Sequence, residues 1–98
     1  MSTPRENFVD HTFEEPRGDL EASIARIIAD VLDIDQVSRF DSFYDFGGTS
    51  LAAIRICARL ESELGYQAQP AWLFTSDVLA DFAHRVQDEC MLGMDARD

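Results

Sequence analysis

The chain has 98 residues, room for a single compact core and little else. Its 8 basic and 19 acidic side chains leave a formal charge of −11, which repels phosphate backbones and anionic lipid headgroups, so neither nucleic acid nor a membrane surface is an expected partner. Every basic residue is an arginine, which removes Schiff-base chemistry, a phosphate-loop lysine and a lysine general base.

Residues 1–17 carry Pro4, Pro16 and mixed charge, and Phe8, Val9 and Phe13 follow no sustained period, so a mobile tail is expected there. The N-terminus lacks an apolar secretory core, and no apolar run approaches a membrane span. Two widely spaced cysteines, Cys57 and Cys90, make no disulfide scaffold, and the expectation is a soluble protein of a reducing cytoplasm. After Gly18, Leu20, Ile24, Ile27, Ile28, Val31 and Leu32 fall on one stripe of an amphipathic helix over residues 19–33, with Asp19 as its expected N-cap.

From Ile34 to Thr49 no helical or strand period holds, although Val37, Phe40, Phe43 and Phe46 recur every third residue among aspartates. A loop longer than about 12 to 15 residues is uncommon in so small a domain unless it is functional, and these apolar residues are expected to pin it to the bundle. The acidic residues from Asp30 to Asp45 lack the alternation and closing glutamate of a calcium loop and read as a solvated face. A second helix is expected over residues 50–64, ended by Gly65, with Ala53, Ile56, Cys57, Leu60 and Leu64 turned to the core. Pro70 suits the first turn of a short third helix through Ala71, Trp72, Leu73 and Phe74. Ser76 or Asp77 is the expected cap of a fourth helix, whose stripe is Leu79, Phe82, Ala83, Val86 and Cys90, and residues 92–98 read as a frayed end. No strand pattern survives, so the architecture is all-α, a bundle of three long helices and one short.

The segment Asp41-Ser-Phe-Tyr-Asp-Phe-Gly-Gly-Thr-Ser50-Leu51 sets a serine hydroxyl at the first turn of a helix, after two glycines. Taken alone, Ser50 reads as an ordinary N-cap. Two features argue for more. At about 100° per residue, Leu51, Ile54 and Ala58 lie roughly 100° to 160° from the core stripe and form a second apolar strip beginning beside Ser50, bordered by Arg55. The helix terminus itself, with free N–H groups and a positive end, stabilises an anion, so a phosphoester on Ser50 would sit in a favourable field.

The run from Phe43 to Leu51 resembles the attachment motif of carrier proteins, in the peptidyl carrier (thiolation) branch of nonribosomal peptide synthesis. The likeness extends through the apolar pattern of the second helix, Gly65, Trp72-Leu73-Phe74 and the stretch from Leu79 to Ala83, across nearly all of a carrier domain at residues 18–91. The resemblance implies an acyl-carrier-like four-helix bundle that catalyses nothing itself. It implies that a phosphopantetheinyl transferase, using coenzyme A and Mg²⁺, attaches 4′-phosphopantetheine to Ser50, with Gly47, Gly48 and Thr49 completing the motif, and that the arm's thiol carries an aminoacyl or acyl group. Implied partners are an adenylation enzyme and condensation or tailoring enzymes, met through Leu51, Ile54, Arg55, Ala58 and Phe46 by a monomer. Thr49 stands where His or Asp is commoner, which bears on transferase preference, and Phe46 where Leu is typical. Arg55 and Arg59 beside Glu61 and Glu63 make the helix surface mixed rather than strongly acidic, favouring peptidyl over fatty-acyl carriage; the alternative is an acyl carrier of a polyketide or fatty-acid pathway. Starting at Met1 and ending shortly after the fourth helix, the chain resembles a free-standing carrier more than a domain inside a synthetase, with an excised domain as the rival reading.

Enzymatic readings fare less well. A hydrolase needs a base beside Ser50, whereas His11 lies in the tail and His84 on the outer side of the fourth helix. No Cys or His pair has metal-ligand spacing. The rival from another class is an acidic adaptor or nucleic-acid mimic acting through charge alone.

Overall fold

The computed structural model describes residues 2–95, with side chains through Cys90. Four helices follow in chain order: α1 (Gly18–Leu32), α2 (Ser50–Leu64), α3 (Trp72–Thr75) and α4 (Leu79–Asp95). Helix α1 packs on both α2 and α4, and α3 closes one end against α4. Isolated bridges are the only extended pairings among the described residues, as the all-α expectation required. Ile24 and Ile27 of α1, Ile56 and Leu60 of α2, Leu73 of α3, and Leu79, Phe82 and Val86 of α4 are fully buried and form the centre. Except for Leu73, whose helix is too short to show a period, these are residues whose 3.6-residue spacing marked the apolar stripes, so burial follows directly from period.

Helix ends depart from expectation in instructive ways. Helix α1 begins a residue before Asp19, which therefore lies in the first turn and is not the cap. Arg17 occupies the cap position without a side-chain bond, and its amide donates instead to the Glu21 carboxylate at 3.1 Å. The same carboxylate accepts from Nε and Nη2 of Arg39 at 3.0 and 2.9 Å, and that Arg39 fork is the main reason its pKa falls below the ordinary glutamate value. At the other end Asp33 turns left-handed (φ 58), and the amide of Ile34 reaches back to the Ala29 carbonyl at 2.9 Å, a closing turn that Asp tolerates better than most residues.

Neither Ser76 nor Asp77 caps α4. The chain from 41 to 43 runs antiparallel beside 77–79, and the first α4 amides are satisfied by loop carbonyls, Leu79 by Asp41 at 3.0 Å and Ala80 by Arg39 at 2.9 Å. The Asp77 carboxylate is used across this junction, accepting from the Ser42 hydroxyl. Helix α4 continues to Asp95, so residues 92–95 of the expected frayed end are helical, and 96–98 lie outside the described residues.

Of the mobile tail expected at residues 1–17, the described residues, 2–17, are instead folded onto the loop between α1 and α2. Thr3 pairs with the chain at Ile34, its amide to the Asp33 carbonyl at 2.8 Å and its carbonyl to the Asp35 amide at 2.9 Å. A 3-10 turn at Arg5–Asn7 follows, Val9 joins the core, and the Glu14 carbonyl accepts from the Arg39 amide at 2.9 Å. The reason is a buried charge. Asp41, expected on a solvated acidic face, is 1% exposed and accepts from both Nε and Nη2 of Arg5, the latter at 2.8 Å. Its oxygens also take the Ser38 amide at 2.9 Å and the His11 ring at 2.7 Å. Burial opposes ionisation of Asp41, but the Arg5, Ser38 and His11 hydrogen bonds outweigh it and hold the carboxyl below its ordinary value. The stabilisation is therefore complete above the unfolded-state value of 3.8 and is lost only as the pH falls further, through the lower folded-state value.

Candidate functional site

The loop ends in a 3-10 turn, Phe43–Phe46, capped by the Ser42 hydroxyl accepting from the Tyr44 amide at 3.1 Å. In a helix of three residues per turn, positions i and i+3 share a face, so Phe43 and Phe46 both point inward while Tyr44 points out. Phe46 is 7% exposed and meets the edge of the Phe8 ring, which corrects its expected place on a partner surface. Phe40 is the member of the every-third-residue series that fails to pin the loop: it is half exposed, beneath the Arg39 guanidinium.

Two glycines then turn the chain from loop to helix for separate reasons. Gly47 is left-handed (φ 70), a conformation strained for other residues. Gly48 lies against Phe43, where an added Cβ would sit 2.3 Å from the ring. Thr49 is extended and is the true N-cap of α2, its hydroxyl accepting from the Ala52 amide at 3.2 Å and its carbonyl from the Ala53 amide at 3.0 Å. Ser50 is the first helical residue, exposed, and among the described residues its hydroxyl takes no hydrogen-bond partner. The capping role that Ser50 alone would explain by sequence is thus filled by its neighbour, and the Ser50 oxygen stands free at the positive end of a 15-residue helix. That arrangement fits a phosphate-linked group: an accessible hydroxyl, small residues before it, and the amides of Ser50 and Leu51, which take no partner among the described residues.

Leu51 and Ile54 are 59% and 54% exposed, and Ala58 and Arg55 are exposed with them, so the second strip of α2 is displayed as its angular offset required. Arg59 is tied to Glu63 at 2.7 Å and Asp30 at 3.4 Å, whereas Arg55 joins no ion pair among the described residues. Tyr44, to which the sequence pattern assigns no role, links the loop to α3: its hydroxyl donates to the Phe74 carbonyl at 2.8 Å, beside the Phe74 ring. A signal was present, since residue 44 falls off the 43/46 face of a three-residue period. Both histidines have carboxylate partners, His11 with Asp41 and His84 with Asp88 at 3.0 Å, and neither bonds Ser50 among the described residues. Cys57 is buried, and desolvation raises its thiol to about 11, an inert core sulfur at neutral pH. Among the described residues no group of three or more His, Cys, Asp or Glu side chains could hold a metal ion, and no helix is long and apolar enough to cross a membrane.

Residues 22–86 match the family described as PP-binding, the phosphopantetheine attachment site. The chain belongs to that family. Its prosthetic group is accordingly 4′-phosphopantetheine, and its four-helix fold is that of carrier domains. This PP-binding chain is 38% identical over 87 residues to malpinin synthetase of Mortierella alpina, covering 88% of the chain. It is 32% identical over 79 residues to bacitracin synthase 2 of Bacillus licheniformis, covering 81%. It spans about 1% of the length of the first of these relatives and about 3% of the second. Among solved structures, a nonribosomal PCP domain superposes with a TM-score of 0.67 at 31% identity, covering 72% of this chain and 91% of that one. BlmI, a type-II acyl carrier protein from Streptomyces verticillus involved in bleomycin biosynthesis, gives 0.66 at 30%, covering 71% and 84%.

Proposed function

We propose that this protein holds an aminoacyl or acyl group on a 4′-phosphopantetheine arm attached to Ser50 and delivers it to partner enzymes of nonribosomal peptide synthesis. The observation that carries the assignment to Ser50 is the division of labour at the start of α2, where Thr49 caps the helix and leaves the Ser50 hydroxyl exposed. The resemblance to synthetase segments and to a type-II carrier supports the pathway.

In loading, a phosphopantetheinyl transferase brings coenzyme A and Mg²⁺; the Ser50 oxygen bonds the phosphorus of the pantetheine phosphate, 3′,5′-ADP departs, and the hydroxyl proton leaves to a base of the transferase. Once bound, the arm supplies a terminal thiol that holds the cargo as a thioester. The chain's own residues do the rest. The first-turn amides of α2 favour the phosphodiester charge, Gly47 and Gly48 keep side chains away from it, and the exposed Leu51, Ile54, Arg55 and Ala58 offer a docking strip. Serial partners need modest affinity and fast release, and tethering raises the cargo's effective concentration in each of their sites. The protein itself is non-catalytic in this account and works in a reducing compartment. An adenylation enzyme loads the cargo, and condensation or tailoring enzymes receive it.

Incubation with coenzyme A, Mg²⁺ and a broad-specificity transferase tests the assignment. Intact-protein mass spectrometry is expected to show one added phosphopantetheine, absent from Ser50→Ala. No adduct on the unaltered protein, or an undiminished one on Ser50→Ala, overturns it.

A further inference from the structure

The family match begins at residue 22, yet the loop that leads to Ser50 is tied down by residues well before it. Between the end of α1 and Ser50 the chain has one short 3-10 turn and no other regular structure, so its order depends on outside contacts. Most ties from the N-terminal segment reach only the loop's first half: Thr3 at 33 and 35, the Arg5 amide on Asp35 at 2.8 Å, and Glu14 at 38 and 39. Two ties go further: the Phe8 ring meets Phe46, and the Arg5 side chain spans 36 positions to Asp41 with a two-nitrogen fork in which both partners are buried.

Asp41 is one of the points where the loop meets α4. Its carbonyl accepts from the first amide of α4, and two residues on the Phe43 amide donates to the Asp77 carbonyl at 2.8 Å. The Phe43 ring is the surface against which Gly48 rests, two residues before Ser50. A displacement at Asp41 is thus passed through Phe43 to the glycines that aim the start of α2. His11 also touches Asp41, on the oxygen that accepts from Arg5 Nη2, but its ring is 45% exposed and it supplies one contact to the fork's two. Loss of Arg5 would leave a buried carboxylate without its principal counter-charge, a strongly unfavourable state that the loop relieves by opening to water.

We propose that Arg5 is a positioning residue for the Ser50 site, and that the N-terminal segment is a clasp which, through the Arg5–Asp41 pair, holds the 33–49 loop in the form a modifying enzyme recognises. The inference rests on Ser50 being the modified residue. A loop that is ordered only part of the time lowers apparent affinity for the transferase by the competent fraction, while chemistry on the competent fraction is unchanged.

Steady-state loading kinetics of Arg5→Met and Arg5→Lys, paired with amide hydrogen exchange on the same samples, test this. Arg5→Met is expected to raise KM for the carrier about tenfold with kcat nearly unchanged, as a reduced competent fraction requires. Amides of Phe43, Gly48, Leu79 and Ala80 should exchange faster, while those in the centres of α1 and α2 keep their protection. Arg5→Lys, with its charge kept and its fork lost, should fall between. Wild-type KM in Arg5→Met, or faster exchange spread evenly through α1 and α2, overturns the proposal. Should Arg5→Met fail to fold, Arg5→Lys decides, and wild-type KM and exchange in it are equally fatal. Failure of the Ser50 assignment would look different, since the unaltered protein would then take no adduct there while exchange still reports on the clasp.

Discussion

Helix α2 carries two apolar strips of closely similar residues, and their surroundings differ completely. Ala53, Ile56, Cys57 and Leu60 are covered by the bundle, whereas Leu51, Ile54 and Ala58, offset around the same cylinder, stand in solvent beside Ser50. Side-chain chemistry states what can be buried; angular position relative to α1 decides what is. An isoleucine at 56 therefore contributes to stability, and an isoleucine at 54 contributes to what can dock.

The largest effect that would break this contrast is at the inner strip. Ile56→Ala should lose about 2 to 5 kcal/mol in chemical denaturation, the range for emptying a fully buried site. Ile54→Ala in the same series should stay within about 0.5 kcal/mol of the parent, and equal losses at the two positions would erase the distinction. Gly48→Ala comes next: its Cβ would overlap the Phe43 ring, and thermal unfolding should register about 1 to 3 kcal/mol of overpacking. Thr49→Ala removes the α2 cap and should cost about 1 kcal/mol by the same measurement, while Ser50 continues to accept phosphopantetheine. If loading stopped with Thr49→Ala, the separation of cap from nucleophile would be wrong. Smallest in stability, within about 0.5 kcal/mol, are Leu51→Asp and Ile54→Asp. Both should nevertheless slow loading or downstream transfer, and unchanged kinetics with every partner would return the outer strip to plain surface.

How much of this was legible in the sequence depended on whether the controlling contact is local. Helix α2 was readable to its ends because Gly-Gly before it, Gly65 after it and an unbroken 3.6-residue period between them all act within a turn or two. The identity of its cap was not, because Thr49 and Ser50 are both good N-cap residues and the choice depends on where the first helical dihedral falls. Phe46 carried two expectations, pinned to the bundle by its three-residue recurrence and open to partners by its place beside the motif, and its burial bears out the first against the second. The N-terminal segment was the least legible part. Its docking depends on backbone pairing at Thr3 and on an arginine whose partner lies 36 positions away, and neither leaves a periodic trace. Asp41 looked like one more aspartate of an acidic loop, and only its burial reveals that it is the loop's anchor.

Localising the adduct tests the central claim most directly. Trypsin cleaves after Arg39 and Arg55, releasing a peptide that contains Ser42, Tyr44, Thr49 and Ser50 as its hydroxyl side chains. After treatment with coenzyme A and transferase, fragmentation of that peptide should place phosphopantetheine on Ser50 alone. Phosphopantetheine on Ser42, Tyr44 or Thr49, or an unmodified peptide from a fully reacted sample, would contradict the account.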